Sequence, residues 1–85
     1  MLKTDKEMLL IDVRSPQEYK ESHLDGAINL PLYDIEQKAQ EQIKRKDTPI
    51  IIYCQSGSRS RRAMQILRQE GYENLYEIKG GLDNI

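Results

Sequence analysis

The chain's single cysteine, Cys54, ends the apolar run Ile50 to Tyr53 and begins a small polar stretch, Gln55, Ser56, Gly57, Ser58, Arg59 and Ser60. A thiol reacts as its thiolate, so a reactive cysteine needs surroundings that favour negative charge. This stretch offers them. Gly57 permits positive φ and a close backbone turn, which lets the amides of residues 55 to 59 curl around an anion or a charged sulfur. The helix expected from Arg59 onward presents unpaired N–H groups and a positive dipole end at the same place. Arg59 adds a fixed charge inside the loop. A free cysteine is more commonly an inert core residue, but such a residue lies within an apolar run, whereas Cys54 closes one. We therefore expect Cys54 to be a nucleophile, with Gln55, Ser56, Gly57, Ser58 and Arg59 forming a cradle for an anionic substrate.

Other candidates have weaker settings. His23, the only histidine, precedes Leu24, Asp25 and Gly26 in a turn, where a hydrogen-bonded structural role is expected. Asp12 and Arg14 flank Val13 at the end of the first apolar run; they could pair with each other or support the cysteine loop from behind. Arg61, Arg62 and Arg68 extend the positive field of the helix or simply solvate its outer face. Tyr53, Tyr72 and Tyr76 are expected at the edges of the core. No Cys/His cluster has metal-ligand spacing and no dinucleotide or Walker fingerprint occurs, so neither a metal nor a cofactor is expected.

The elements that must position these residues follow from apolar spacing. Leu9 to Val13 reads as a strand buried on both faces. Ser15 and Pro16, with Glu18 three residues beyond the serine, form a capping-box signature for a short helix through about Glu21. Ala27 to Leu30 is a second short strand, ended by Pro31. Ile35, Ala39 and Ile43 fall four apart and predict an amphipathic helix within Leu32 to Lys46. Ile50 to Tyr53 is the most β-prone run, Arg59 to Glu70 a helix closed by Gly71, and Leu75 to Ile78 a last strand, after which Gly80 and Gly81 open a terminal turn or helix. Alternating strands and helices imply right-handed βαβ units, hence an α/β fold with a mainly parallel sheet covered by helices on both faces.

Composition narrows the function. Eighty-five residues suit one domain, read here as spanning 1–85, and 13 basic against 14 acidic residues give a net charge of −1 with no global attraction to nucleic acid or membrane. The first residues lack a signal-peptide core, no apolar run approaches a membrane span, and a lone cysteine suits a reducing compartment; a cytoplasmic protein is expected.

With these residues on the page, the chain resembles the rhodanese family, in particular its minimal single-domain, phage-shock-type thiosulfate sulfurtransferases. Ile11 to Pro31, with Asp12, Arg14, Glu18, His23 and Gly26, looks like the family's first signature; the run from Cys54 to Ser60 is similar to its active-site loop; Gly71-Tyr72 through Gly80-Gly81 resembles its closing signature. The resemblance implies a three-layer α/β/α domain of about four strands in the order 2-1-3-4. It also implies a mechanism: the Cys54 thiolate attacks the outer sulfur of thiosulfate, releases sulfite, holds a persulfide, and passes the sulfur to a thiol or cyanide. Arg59 would hold the sulfonate end, and Asp12 and Arg14 match supporting positions. Six residues from Cys54 to Arg59 is the loop length the family associates with sulfur, whereas related phosphatases and arsenate reductases use one more and place a histidine where Tyr53 stands.

Two departures from the family pattern are Ser22, where glycine usually precedes the histidine, and Leu82, where an aromatic residue is common. Two other function classes compete with the sulfurtransferase: a sulfur carrier or protein-interaction module without turnover of its own, and a phosphatase or arsenate reductase.

Overall fold

Four short apolar runs form the sheet, and the polar segments between them supply the crossovers. The computed structural model describes residues 8–84. Strand β1 is Leu9–Asp12, β2 Ile28–Asn29, β3 Ile50–Tyr53 and β4 Leu75–Glu77; helix α1 is Pro16–Glu21, α2 Ile35–Gln42 and α3 Ser58–Gln69. All pairings are parallel and the order is β2-β1-β3-β4, the arrangement expected above. The central pair runs from Leu9 opposite Ile50 to Asp12 opposite Tyr53, so Asp12 and Cys54 leave the sheet at neighbouring strand ends. That is the switch point of an open α/β sheet, where the chain departs to either side and a crevice opens.

Burial explains the choice of strands. Ile11, Ile50 and Ile52 are wholly buried, as is Ile35 of α2, and each contributes roughly 1.5–3 kcal/mol on leaving water. Ala39, Ala63 and Leu67, also wholly buried, let α2 and α3 pack closely against each other and the sheet. Ser15 closes α1 as expected: its hydroxyl accepts from the Glu18 amide and the Glu18 carboxylate accepts from the Ser15 amide.

Two expectations need correction. The helix anticipated within Leu32 to Lys46 is shorter. It begins as a 3₁₀ turn at Leu32–Asp34 and is α-helical only through Gln42. At its end the Ile43 amide still donates to the Ala39 carbonyl at 2.7 Å, and the Tyr72 hydroxyl lies 2.7 Å from the Ile43 carbonyl, one of those a helix end leaves without an intrahelical donor, and 3.0 Å from that of Ala39. Tyr72 is thus a core residue, and so is Tyr53, wholly buried beneath the loop; of the three tyrosines assigned to the core's edge, Tyr76 is 55% exposed on the edge strand. No helix among the described residues is long and apolar enough to cross a membrane.

Candidate active site

Cys54 follows the last residue of β3, and the next three residues reverse the chain into α3. Gly57, the residue before the helix, has φ 106°, a left-handed conformation that a side chain would strain. That turn brings the helix's first amides back onto Cys54. The sulfur accepts from the Gly57 amide at 2.9 Å and the Ser60 amide at 3.3 Å. Helix α3 has no side-chain oxygen cap, so the cysteine sulfur satisfies an amide that a capping Ser or Asp would otherwise take.

The thiol is wholly buried, and burial alone pushes its pKa up. Opposing it are the Ser60 amide, the Ser60 side chain and the amides of Gly57 and Arg59, which together hold the thiol below its ordinary value. Such a balance separates this cysteine from an inert core residue, whose pKa burial raises without compensation. Cys54 does pack among core residues; its sulfur is both buried and supplied with donors.

Of the other loop residues, Ser56 and Ser58 are exposed, and Gln55 and Arg59 are half-buried. Arg59 is already engaged. Its guanidinium makes a two-pronged contact with the Glu18 carboxylate, Nη1 to Oε1 at 2.7 Å and Nη2 to Oε2 at 3.1 Å. Arg59 also feels the charge of Cys54, and Glu18, hydrogen-bonded first to Arg59 and then to Ser15, has its pKa lowered to about 2. Glu18 therefore has two tasks, closing α1 and holding the loop arginine; the first was legible as a capping box, and the second was not.

Asp12 and Arg14 pair with each other, and Arg14 also touches the cysteine loop. They form a buried ion pair, Nη2 to Oδ2 at 2.9 Å, with side chains 0% and 4% exposed. Arg14 then reaches from Asp12 to the Ser22 carbonyl and, at 3.3 Å, to Oε1 of Gln55 in the loop. The Arg14 guanidinium also lies over the Tyr53 ring, 5.9 Å from its centroid. Every buried side-chain nitrogen and oxygen among the described residues has a partner, which a buried ion pair requires if it is not to destabilise the fold. His23 keeps the structural role expected: Nδ1 lies 2.8 Å from the Tyr19 carbonyl and its ring stacks on Tyr19. Arg61 and Arg62 are exposed on the outer face of α3.

The C-terminal turn fixes the loop from behind. The amides of Leu82 and Asp83 donate to the carbonyls of Cys54 and Gln55, at 3.0 and 2.9 Å, and the Gln55 side-chain amide donates to the Asp83 carboxylate at 2.7 Å. This approach demands glycine at position 81, where a Cβ would lie 2.3 Å from the Cys54 carbonyl oxygen. The sequence signal for it is the adjacent pair Gly80-Gly81, expected to open a terminal turn or helix and lying in the stretch that resembles the family's closing signature. Ser60 lies in the polar stretch after Cys54 without a signal of its contacts, and nothing local marks Glu77.

Comparison with known proteins agrees with this geometry. The model of the family described as "Rhodanese-like domain" matches residues 1–85, and the chain belongs to that family. It is 46% identical over 72 residues to the uncharacterized protein YqhL of Bacillus subtilis, covering 85% of this chain and 56% of that protein, so the chain spans little more than half that relative's length. It is 37% identical over 75 residues to thiosulfate sulfurtransferase PspE of Escherichia coli, covering 88% of this chain and 71% of that one. A solved structure described as "rhodanese with anions from E. coli" superposes with a TM-score of 0.82 at 36% identity, covering 92% of this chain and 91% of that chain.

Proposed function

We propose that residues 1–85 act as one sulfurtransferase domain in which Cys54 carries sulfur as a persulfide. The observation that supports this best is the sulfur's own setting: a wholly buried thiol held below its ordinary pKa by amides of the turn it begins. The Cys54 thiolate attacks the outer sulfur of thiosulfate; the S–S bond of the donor breaks with its electron pair leaving on sulfite, and the new bond joins that sulfur to Cys54. An acceptor thiolate or cyanide then attacks the outer sulfur and Cys54 leaves as thiolate. The loop amides stabilise the negative sulfur that begins and ends this cycle, with no rearrangement needed at the moment of reaction. In this reading Gln55, Ser56, Gly57, Ser58 and Arg59 line the donor site, Arg59 meeting the sulfonate with whatever charge its pairing with Glu18 leaves available. Asp12 and Arg14 hold Gln55 and the strand end from behind. The similarity to a relative named thiosulfate sulfurtransferase supports thiosulfate as donor, and a reducing cytoplasmic setting suits a free thiol.

The experiment is intact-mass measurement after incubation with thiosulfate, free of reducing agent, beside mercaptopyruvate as an alternative donor. Addition of one sulfur atom, lost in Cys54→Ser, is the expected result. No addition from either donor sinks the enzyme reading. Loading by a cysteine desulfurase, with negligible transfer from thiosulfate to cyanide, marks a sulfur carrier instead.

A further inference from the structure

Cys54 leaves the end of β3, and Glu18 lies in the first turn of α1, which follows the end of the adjacent strand β1. The ion pair between Arg59 and Glu18 therefore spans the crevice that opens at the switch point. Arg59 belongs to the turn wrapped around the sulfur, since the Gly57 and Ser60 amides on either side of it both bond Cys54 Sγ. Both carboxylate oxygens of Glu18 meet Arg59, at 2.7 and 3.1 Å, and the Ser15 amide, 2.9 Å from Oε1, holds the carboxylate from α1. A guanidinium has five N–H donors; Glu18 takes two of them and balances the charge. The two side chains are 37% and 34% exposed, so a small anion can meet the pair from solvent. Hydrogen bonds bring four charged side chains onto the loop: Arg14 and Asp83 to Gln55, Glu18 to Arg59 and Glu77 to Ser60. Three of the four are carboxylates.

We propose that Glu18 is a specificity-determining residue for Cys54: by neutralising Arg59 it sets how strongly the site prefers a dianionic sulfur donor over one of lower charge. The inference rests on Cys54 being the sulfur-carrying nucleophile proposed above, and it divides donors by class. Thiosulfate brings two negative charges to a thiolate that already carries one. A thiosulfonate brings one and offers the same kind of outer sulfur: the thiolate attacks that sulfur, the S–S bond breaks and its electron pair leaves on sulfinate instead of sulfite. The loop amides hold the Cys54 sulfur whichever donor arrives, so they do not tell the two apart. Arg59 and Glu18 do. With Glu18 ionised, the loop's own cation offers a dianion its remaining N–H groups but little net charge, and the site takes donors of lower charge beside thiosulfate.

Cys54 is the chain's one cysteine, so alkylation reports a single site. Iodoacetate and iodoacetamide are close in size, each loses iodide to the thiolate as the C–S bond forms, and they differ by one negative charge. Their rate ratio on the folded protein at neutral pH reads the charge at the sulfur; a loosened loop or an altered thiolate fraction changes both rates alike and cancels. Glu18→Gln keeps an acceptor for Arg59 and Ser15 but drops the charge. It should raise the iodoacetate-to-iodoacetamide ratio about three- to tenfold at low ionic strength, the size of one unit charge acting through a partly exposed site, and less as salt rises. Arg59→Gln leaves Glu18 unpaired and should lower the ratio, while Glu18→Asp should keep it near the wild-type value. Sulfur loading should follow, Glu18→Gln speeding transfer from thiosulfate relative to a thiosulfonate by a similar factor. A ratio unmoved or lowered in Glu18→Gln, a rise undiminished at high salt, a Glu18→Asp that matches Glu18→Gln, or no fall in Arg59→Gln overturns the proposal. The two readings fail separately: a wild type that takes up no sulfur sinks the sulfurtransferase reading, whereas normal loading with flat alkylation ratios sinks this one.

Discussion

At the scale of single residues, the function proposed for Cys54 turns on the charge of its thiol, and the groups that set it are identifiable. Burial opposes the thiolate, while the Ser60 and Gly57 amides and the Ser60 side chain favour it and win. The thiolate is the attacking form, so persulfide formation should rise with pH and be half-maximal at a lower pH than for a simple free thiol given the same donor. A profile with its midpoint at or above that of the free thiol contradicts the geometry of the loop. Glu18 gives a second pH signature. Its folded pKa, about 2 against an ordinary 4.5, is depressed, so its pairing stabilises the fold fully above about 4.5 and loses that contribution as pH falls towards 2. Glu18→Gln retains a capping-box acceptor at α1 but loses the charge opposite Arg59. Thermal unfolding of the two proteins should differ at neutral pH and converge as the pH approaches 2. The placement of Cys54 and Arg59 in one loop was legible in the sequence from the strand end and glycine turn around them. The Arg59 partner was not, since Glu18 lies 41 positions away and its capping-box signature already explained its presence.

At the scale of elements, the loop is shaped by what lies on either side of it: α3 in front and the 3₁₀ turn Gly81–Asn84 behind. Gly81, at φ 64°, has the Cys54 and Gln55 carbonyl oxygens where its Cβ would be. Gly81→Ala should therefore destabilise the fold by about 1–3 kcal/mol, roughly 4–8 °C per kcal/mol in melting temperature for a domain of this size. It should also reduce sulfur loading more than stability alone accounts for, measured at a temperature where both proteins are folded, because the steric push falls on the carbonyl of Cys54 itself. Unchanged loading would show that the turn supports the fold without shaping the loop. The order and kind of elements could be read from apolar spacing; their ends could not. Tyr72 meets the end of α2 at the Ile43 carbonyl, 29 positions away, and no local pattern announces such a contact.

At the scale of the whole molecule, the sheet brings the strand ends of β1 and β3 together, and the buried pair Asp12–Arg14 is the joint between them. Removing one member of a buried ion pair leaves an uncompensated charge and typically costs about 3–5 kcal/mol. A chain of this length has only about 4–13 kcal/mol in total. Asp12→Ala should accordingly unfold much of the protein at modest denaturant, while Asp12→Asn, which keeps a hydrogen-bond acceptor for Arg14, should cost less; urea titration distinguishes them. The parallel α/β class was legible from strand and helix alternation, and the strand order from resemblance to a family. The cross-chain pairs that finish the candidate site, Arg14 with Gln55, Gln55 with Asp83 and Ser60 with Glu77, were illegible because their members share no period and no neighbourhood in the chain.

Those pairs have a consequence for how reactivity arises. The donors and supports around Cys54 come from residues 12, 14, 18, 55 to 60, 77 and 81 to 83, nearly the full span of the described chain. A partly assembled molecule, lacking the last strand or the final turn, would hold an ordinary thiol, mostly protonated at neutral pH and slow to attack or be oxidised. On the function proposed for Cys54, activation of the thiol would therefore follow completion of folding, since the segments that restrain it must all be docked first.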